Sequence, residues 1–243
     1  YISNKLLKNY TSYYTLSYPN QKLNHKTKAS YLDMNNKFIK LFTQGCLFGD
    51  LRVIKYVYSK YQYTEILNIN KIYFDFIFIN ICERDDIAIV NFFGDKISKN
   101  NVVTSNSFAM ACIWGHIEIA LLLSKHLVKD WDKYVHKWIF SKYSPSYGIR
   151  RRIFYEICLK GFFEMAKWFY ENYYSVGNDI FKIMIDLAAF TDDIIIFKWL
   201  YKKYIVQFKH AKKKILYEQI EKIFVEACLN NSIKIGSWLC RKN

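Results

Sequence analysis

The sequence predicts an all-α fold, a solenoid of helical hairpins, and three observations predict it. Apolar residues recur at helical intervals along most of the chain. A small residue followed three positions later by Gly, Asp or Asn returns six times in register. Helix breakers are scarce, with eight Gly and two Pro in 243 residues, far below the usual ~7% and ~5%. That scarcity disfavours collagen-like, Gly-rich-loop and many-turned all-β chains and fits long helices with short connections. Hydrophobic residues at 52% and aromatics at 19% exclude a disordered basic tail, so the chain has a large core.

The small residues are Cys46, Cys82, Cys112, Cys158, Ala189 and Cys228, separated by 36, 30, 46, 31 and 39 residues. Such intervals belong to helical-hairpin repeats. Four positions before each stands a large apolar residue: Phe42, Phe78, Phe108, Phe154, Ile185 and Phe224. Four residues make about one helical turn, so both columns share one face of each first helix. Three positions after the small residue come Gly49, Asp85, Gly115, Gly161, Asp192 and Asn231. These residue types best tolerate a left-handed backbone, and a left-handed residue there ends the first helix and turns the chain into a second.

The second helices follow in order. Leu51, Val53, Tyr56 and Val57 form the stripe of the first unit, and Ile87, Ile89, Phe92 and Phe93 that of the second. The third has Ile117, Ile119, Leu122 and Leu123, and the fourth Phe163, Met165, Trp168 and Phe169. Ile194, Ile196, Trp199 and Leu200 serve the fifth, and Ile233, Ile235, Trp238 and Leu239 the sixth. Each set lies two, four, seven and eight positions after its turn, the spacing of one apolar helix face. At roughly 1.5 to 3 kcal/mol for each fully buried large side chain, these stripes outweigh any other stabilising term in the sequence.

Residues 1–35 fit the register poorly and read as an atypical N-terminal cap or an arm, leaving 36–243 as one repeat domain. The longest interval holds an insertion near 126–150. There Trp131, Tyr134, Trp138, Ile139 and Phe140 predict an extra helix before a turn at Ser144-Pro145-Ser146. The last unit reaches Asn243 without a polar capping helix, as an array that continues would.

The run Ala111-Cys112-Ile113-Trp114-Gly115-His116-Ile117-Glu118-Ile119, followed by Leu121-Leu122-Leu123, resembles the ankyrin repeat, with its alanine pair, Gly-His turn and hydrophobic second helix. The resemblance spans roughly 37–240 and is most specific in the third unit. The family's Thr-Pro-Leu-His opening is replaced here by Asn106-Ser107-Phe108-Ala109, so the roles of its Thr and His do not carry over. The Tyr-, Ile-, Asn- and Lys-rich composition is similar to that of ankyrin arrays from large DNA viruses with AT-rich genomes, mimivirus relatives among them. The resemblance implies a non-enzymatic scaffold that binds a viral or host protein.

Five of the six Cys occupy the small-residue column, and no Cys-x-x-Cys pair occurs, so they read as core residues, neither zinc ligands nor disulfides. His116 follows the turn glycine and reads as structural. The pairs Asp85-Asp86 and Asp192-Asp193 fall at turns, where they cap and solvate helices. No His-Glu-x-x-His, Gly-x-Ser-x-Gly or Gly-rich phosphate loop with its Lys is present. No catalytic, cofactor or metal residue is therefore expected. Asp75, Asn80, Glu83 and Arg84 interrupt the greasiest stretch before it reaches the ~18 residues of a membrane span. The start carries no recognisable secretory signal, and free thiols point to a reducing, intracellular compartment.

The formal charge is +15, from 36 Lys+Arg against 21 Asp+Glu. Arg150, Arg151 and Arg152 precede the fourth unit, and Lys209, Lys212, Lys213 and Lys214 crowd the connection between the fifth and sixth, near Lys198, Lys202 and Lys203. Local charge of this density attracts phosphates or acidic proteins and makes binding salt-dependent. Three readings stand for these residues: a solvated face, a site for an acidic protein, and a nucleic-acid site. The alternative to a protein scaffold is thus a basic viral protein that associates with nucleic acid or is packaged in the virion.

Overall fold

The structure, a computed structural model, describes residues 37–60, 71–97, 101–135, 148–174, 179–207 and 213–242. Among the described residues the fold is all-α and contains no strand. The helices come in consecutive pairs. α1 (Lys37–Phe48) pairs with α2 (Leu51–Lys60), α3 (Lys71–Glu83) with α4 (Ile87–Ile97), and α5 (Asn101–Ile113) with α6 (Ile117–Ser124). α7 (Ile149–Leu159) pairs with α8 (Phe163–Asn172), α9 (Asp179–Phe190) with α10 (Ile194–Gln207), and α11 (Lys213–Leu229) with α12 (Ile233–Cys240).

Every pair turns at the residue the repeat register singles out. Gly49, Gly115 and Gly161 have φ of 76°, 77° and 82°, and Asp85, Asp192 and Asn231 have φ of 64°, 51° and 55°. In five turns the next amide donates to the carbonyl five residues back, as Asp50 does to Gly45 at 2.9 Å and His116 to Ala111 at 2.9 Å. This is the Schellman bond that satisfies an orphan carbonyl at a helix end. The fifth turn differs: Asp192 N–H donates to Leu187 O at 3.0 Å, and Asp193 N–H donates to the Thr191 hydroxyl at 3.3 Å.

The described helices fall into two compact units, α1–α6 and α7–α12, with the Cys112–Gly115 turn grouped in the second. In the first unit α1 packs on α2 and α3, α3 on α4, and α4 on α6. Phe42 and Phe78 meet the buried Phe93 edge-on at 6.0 and 6.2 Å. Polar bonds tie turn to turn. Arg84 donates to the Cys46 carbonyl, and His116 Nε2 donates to the Glu83 carbonyl at 2.7 Å. In the described part of the insertion, Trp131–Tyr134 form a 3₁₀ turn. Its Trp131 is buried against Phe108, with ring centroids 4.9 Å apart. The rest of the predicted extra helix, Trp138 to Phe140, the Ser144-Pro145-Ser146 turn and the predicted N-terminal cap lie outside the described residues.

In the second unit α7 packs on α8 and α9, α9 on α10 and α11, α11 on α12, and α10 on α12. The first helices thus stack on one another. The Ser232 hydroxyl donates to the Ala188 carbonyl. The Asp192 carboxylate accepts the Lys234 and Ile235 amides of the next hairpin at 3.1 and 2.9 Å, and so caps α12 from outside. Asp193 caps its own helix, accepting the Ile195 and Ile196 amides at 3.0 and 3.0 Å.

The core departs from the predicted stripe in an orderly way. Positions eight after each turn are buried throughout, and position four is buried in all hairpins but the first. Position two is half-buried at best, with Ile233 74% exposed, and position seven is never fully buried. Position five, absent from the predicted stripe, is buried in every hairpin: Ile54, Val90, Ala120, Ala166, Phe197 and Gly236. At about 100° per residue, positions four, five and eight fit within an arc of roughly 100°, and two and seven fall some 60° beyond its edges.

The first-helix columns also shift in the last two hairpins. Phe42, Phe78, Phe108 and Phe154 are buried with Cys46, Cys82, Cys112 and Cys158, whereas Ile185, Ala189 and Phe224 are half-buried and Cys228 is exposed. The residues one place earlier, Met184, Ala188, Ile223 and Ala227, take the core positions instead. Ile185 faces an open groove between α9 and α11. α11 packs chiefly on α9 and α12, and the flank that carries Cys228 meets neither closely. Cys228 is therefore no core residue.

Candidate functional site

The two basic clusters of the sequence meet different fates. Arg150, Arg151 and Arg152 form the first turn of α7 and are all half-buried. Cations there oppose the helix dipole. Burial pulls the Arg152 guanidinium below its ordinary pKa, partly opposed by the buried Glu156 carboxylate one turn on. Lys213 and Lys214 are the first residues of α11, and Lys209 and Lys212 lie outside the described residues. The nearby Lys198, Lys202 and Lys203 belong to α10. Lys203 Nζ stands 5.0 Å from the Tyr170 ring and 5.9 Å from that of Trp199, and Lys198 Nζ 6.0 Å from Trp238. These cation–π contacts place basic and aromatic groups side by side on α8, α10 and α12.

The turn residues are occupied with stacking. His116 bridges two hairpins, with Nε2 on the Glu83 carbonyl and Nδ1 3.5 Å from the Asp85 carboxylate. Arg84 shares its guanidinium between the Cys46 carbonyl and Asp86, the latter at 3.1 Å from Nε. All six Cys are free thiols. Desolvation pushes the buried Cys46, Cys82, Cys112 and Cys158 thiols far above their ordinary range, where the nucleophilic thiolate is essentially unpopulated at neutral pH. Among the described residues no group of three or more His, Cys, Asp or Glu is placed to hold a metal ion. No described helix is long and apolar enough to cross a membrane.

The groove between α9 and α11 is a feature that the repeat columns did not single out. It is lined by Ile185 of α9 and by Glu218, Glu221, Lys222, Val225 and Glu226 of α11. Glu218, Glu221, Lys222 and Val225 stand at helical intervals of three, four and seven, hence on one face. Three carboxylates against one ammonium leave this lining acidic within a chain of charge +15. The signal in the sequence is the mixed glutamate and apolar spacing along α11, which overlaps the Phe224 and Cys228 columns. No known family model matches the chain, and no curated protein or solved structure matches it either.

Proposed function

We propose that the chain is a non-enzymatic protein-interaction module on an ankyrin-type repeat solenoid, engaging a viral or host protein. The observation that carries this reading is the agreement of the six left-handed residues with the six-fold register. A left-handed backbone position repeated at each hairpin supports one supersecondary unit used six times. In such arrays the turns and inner stripes serve stacking, and the exposed residues between them are left to vary for recognition. The turn polar groups here fit that division, since Arg84, His116, Asp192 and Ser232 all bond to a neighbouring hairpin. The Tyr-, Ile-, Asn- and Lys-rich composition supports a viral source.

A second reading, association with nucleic acid, is favoured by the exposed Lys198 and Lys202 with Lys203 beside Trp199. One experiment separates the two. Tagged full-length chain is purified from its native or infected cells, half of the lysate is nuclease-treated, and bound proteins are identified by mass spectrometry. The interaction reading expects a stoichiometric protein that survives nuclease. Loss of all co-purifying material in the treated half transfers the assignment to nucleic acid.

A further inference from the structure

We infer that the groove between α9 and α11 docks a basic, amphipathic helical segment of the partner. The inference rests on the interaction-module reading and names the chemistry of what it binds. Three features meet in one place. α9 and α11 pack directly on each other, so the groove has a firm base. Its lining joins the apolar Ile185 and Val225 to Glu218, Glu221 and Glu226, and Leu229, one turn beyond Val225, is 74% exposed. Glu218 and Glu221 are exposed, and Glu226 spends one carboxylate oxygen on Asn230 at 3.0 Å. Lys222, although four positions from both Glu218 and Glu226, bridges neither.

The sign of the local charge selects the occupant. Over a chain of +15 a polyanion is the partner expected from net charge alone. Screening limits that expectation, because at physiological salt the Debye length is ~8 Å and a ligand in the groove feels mainly the side chains lining it. Nucleic acid and acidic peptides meet three carboxylates there. A helix with leucines on one face and lysines flanking them sets apolar groups on Ile185 and Val225 and ammonium groups on the glutamates. Helix-in-groove recognition of this kind lays the apolar face of an amphipathic helix into the groove.

The test uses the full chain and a fluorescein-labelled Lys/Leu amphipathic helical peptide, with its Glu/Leu counterpart, followed by fluorescence anisotropy at about physiological salt. The Lys/Leu peptide is expected to bind and the Glu/Leu peptide to fail. The double variant Glu218→Lys with Glu221→Lys is expected to weaken the Lys/Leu peptide by about tenfold or more. Both positions are exposed, so circular dichroism and the urea midpoint should stay unchanged. Lys202→Glu, on α10 outside the groove lining, should leave the affinity intact. Equal binding by the wild-type chain and the double variant, or no binding of the Lys/Leu peptide, overturns the groove assignment. Preferential binding of the Glu/Leu peptide overturns it too while leaving the interaction-module reading standing, and that broader reading fails only in the nuclease experiment.

Discussion

At the residue scale, six backbone positions govern the design, and they are not equivalent. Asn231 and Asp192 both adopt left-handed φ, 55° and 51°, a conformation in which a Cβ costs roughly 1 to 2 kcal/mol for most residues. Asn231→Gly should therefore leave the urea midpoint almost unchanged or raise it, whereas Asn231→Ala should lower stability by about 1 kcal/mol. Asp192→Gly should instead destabilise by about 1 kcal/mol, because the carboxylate that accepts the Lys234 and Ile235 amides is lost. Matching midpoints for Asn231→Gly and Asp192→Gly would show that the Asp192 cap contributes nothing. The thiols give a second residue-scale prediction. In native buffer only Cys228 and Cys240, both exposed, should react with an aromatic disulfide reagent. The four buried thiols, held far above their ordinary range by desolvation, should react only as the chain unfolds.

At the element scale, the second helices show how periodicity locates a core and where it loses resolution. The columns at positions four and eight were legible because they hold large apolar residues in nearly every unit, such as Ile119 and Leu123 or Ile196 and Leu200. Position five was not, because its occupants range from Gly236 through Ala120 and Ala166 to Phe197. A column that mixes Gly, Ala and Phe carries no size signal, yet the helical wheel centres the buried arc between positions four and five. Phe197→Ala should accordingly cost about 3 to 5 kcal/mol, the range for truncating a buried aromatic. Ile195→Ala, at a site 60% exposed two residues earlier, should move stability by no more than about 0.5 kcal/mol. Urea titrations of the two variants compare them directly, and similar losses would place the core arc elsewhere. On the first helices the same logic explains the one-residue shift at Ala188 and Ala227, where burial follows which neighbour each face meets.

At the scale of the whole molecule, net charge and local charge point in opposite directions. A chain of +15 adheres to polyanions at low ionic strength whatever its function, so only nucleic-acid affinity that persists near physiological salt bears on the second reading. Lys198, Lys202 and Lys203 sit on α10, whereas the glutamates of the groove sit on α11. Summed composition cannot separate two such faces.

The helical class, the six turns and most of the buried columns are legible in the order of residues alone. These depend on local backbone sterics and on the near-constant geometry of a helix, both written residue by residue. Which face of each helix meets a neighbour emerges from packing between helices: Cys228 lies outside the core, Asp192 caps the following hairpin's helix, and Ile185 opens onto an acidic groove. Those outcomes depend on contacts between residues about 30 to 45 positions apart, and no periodicity within a single helix encodes which partner arrives there.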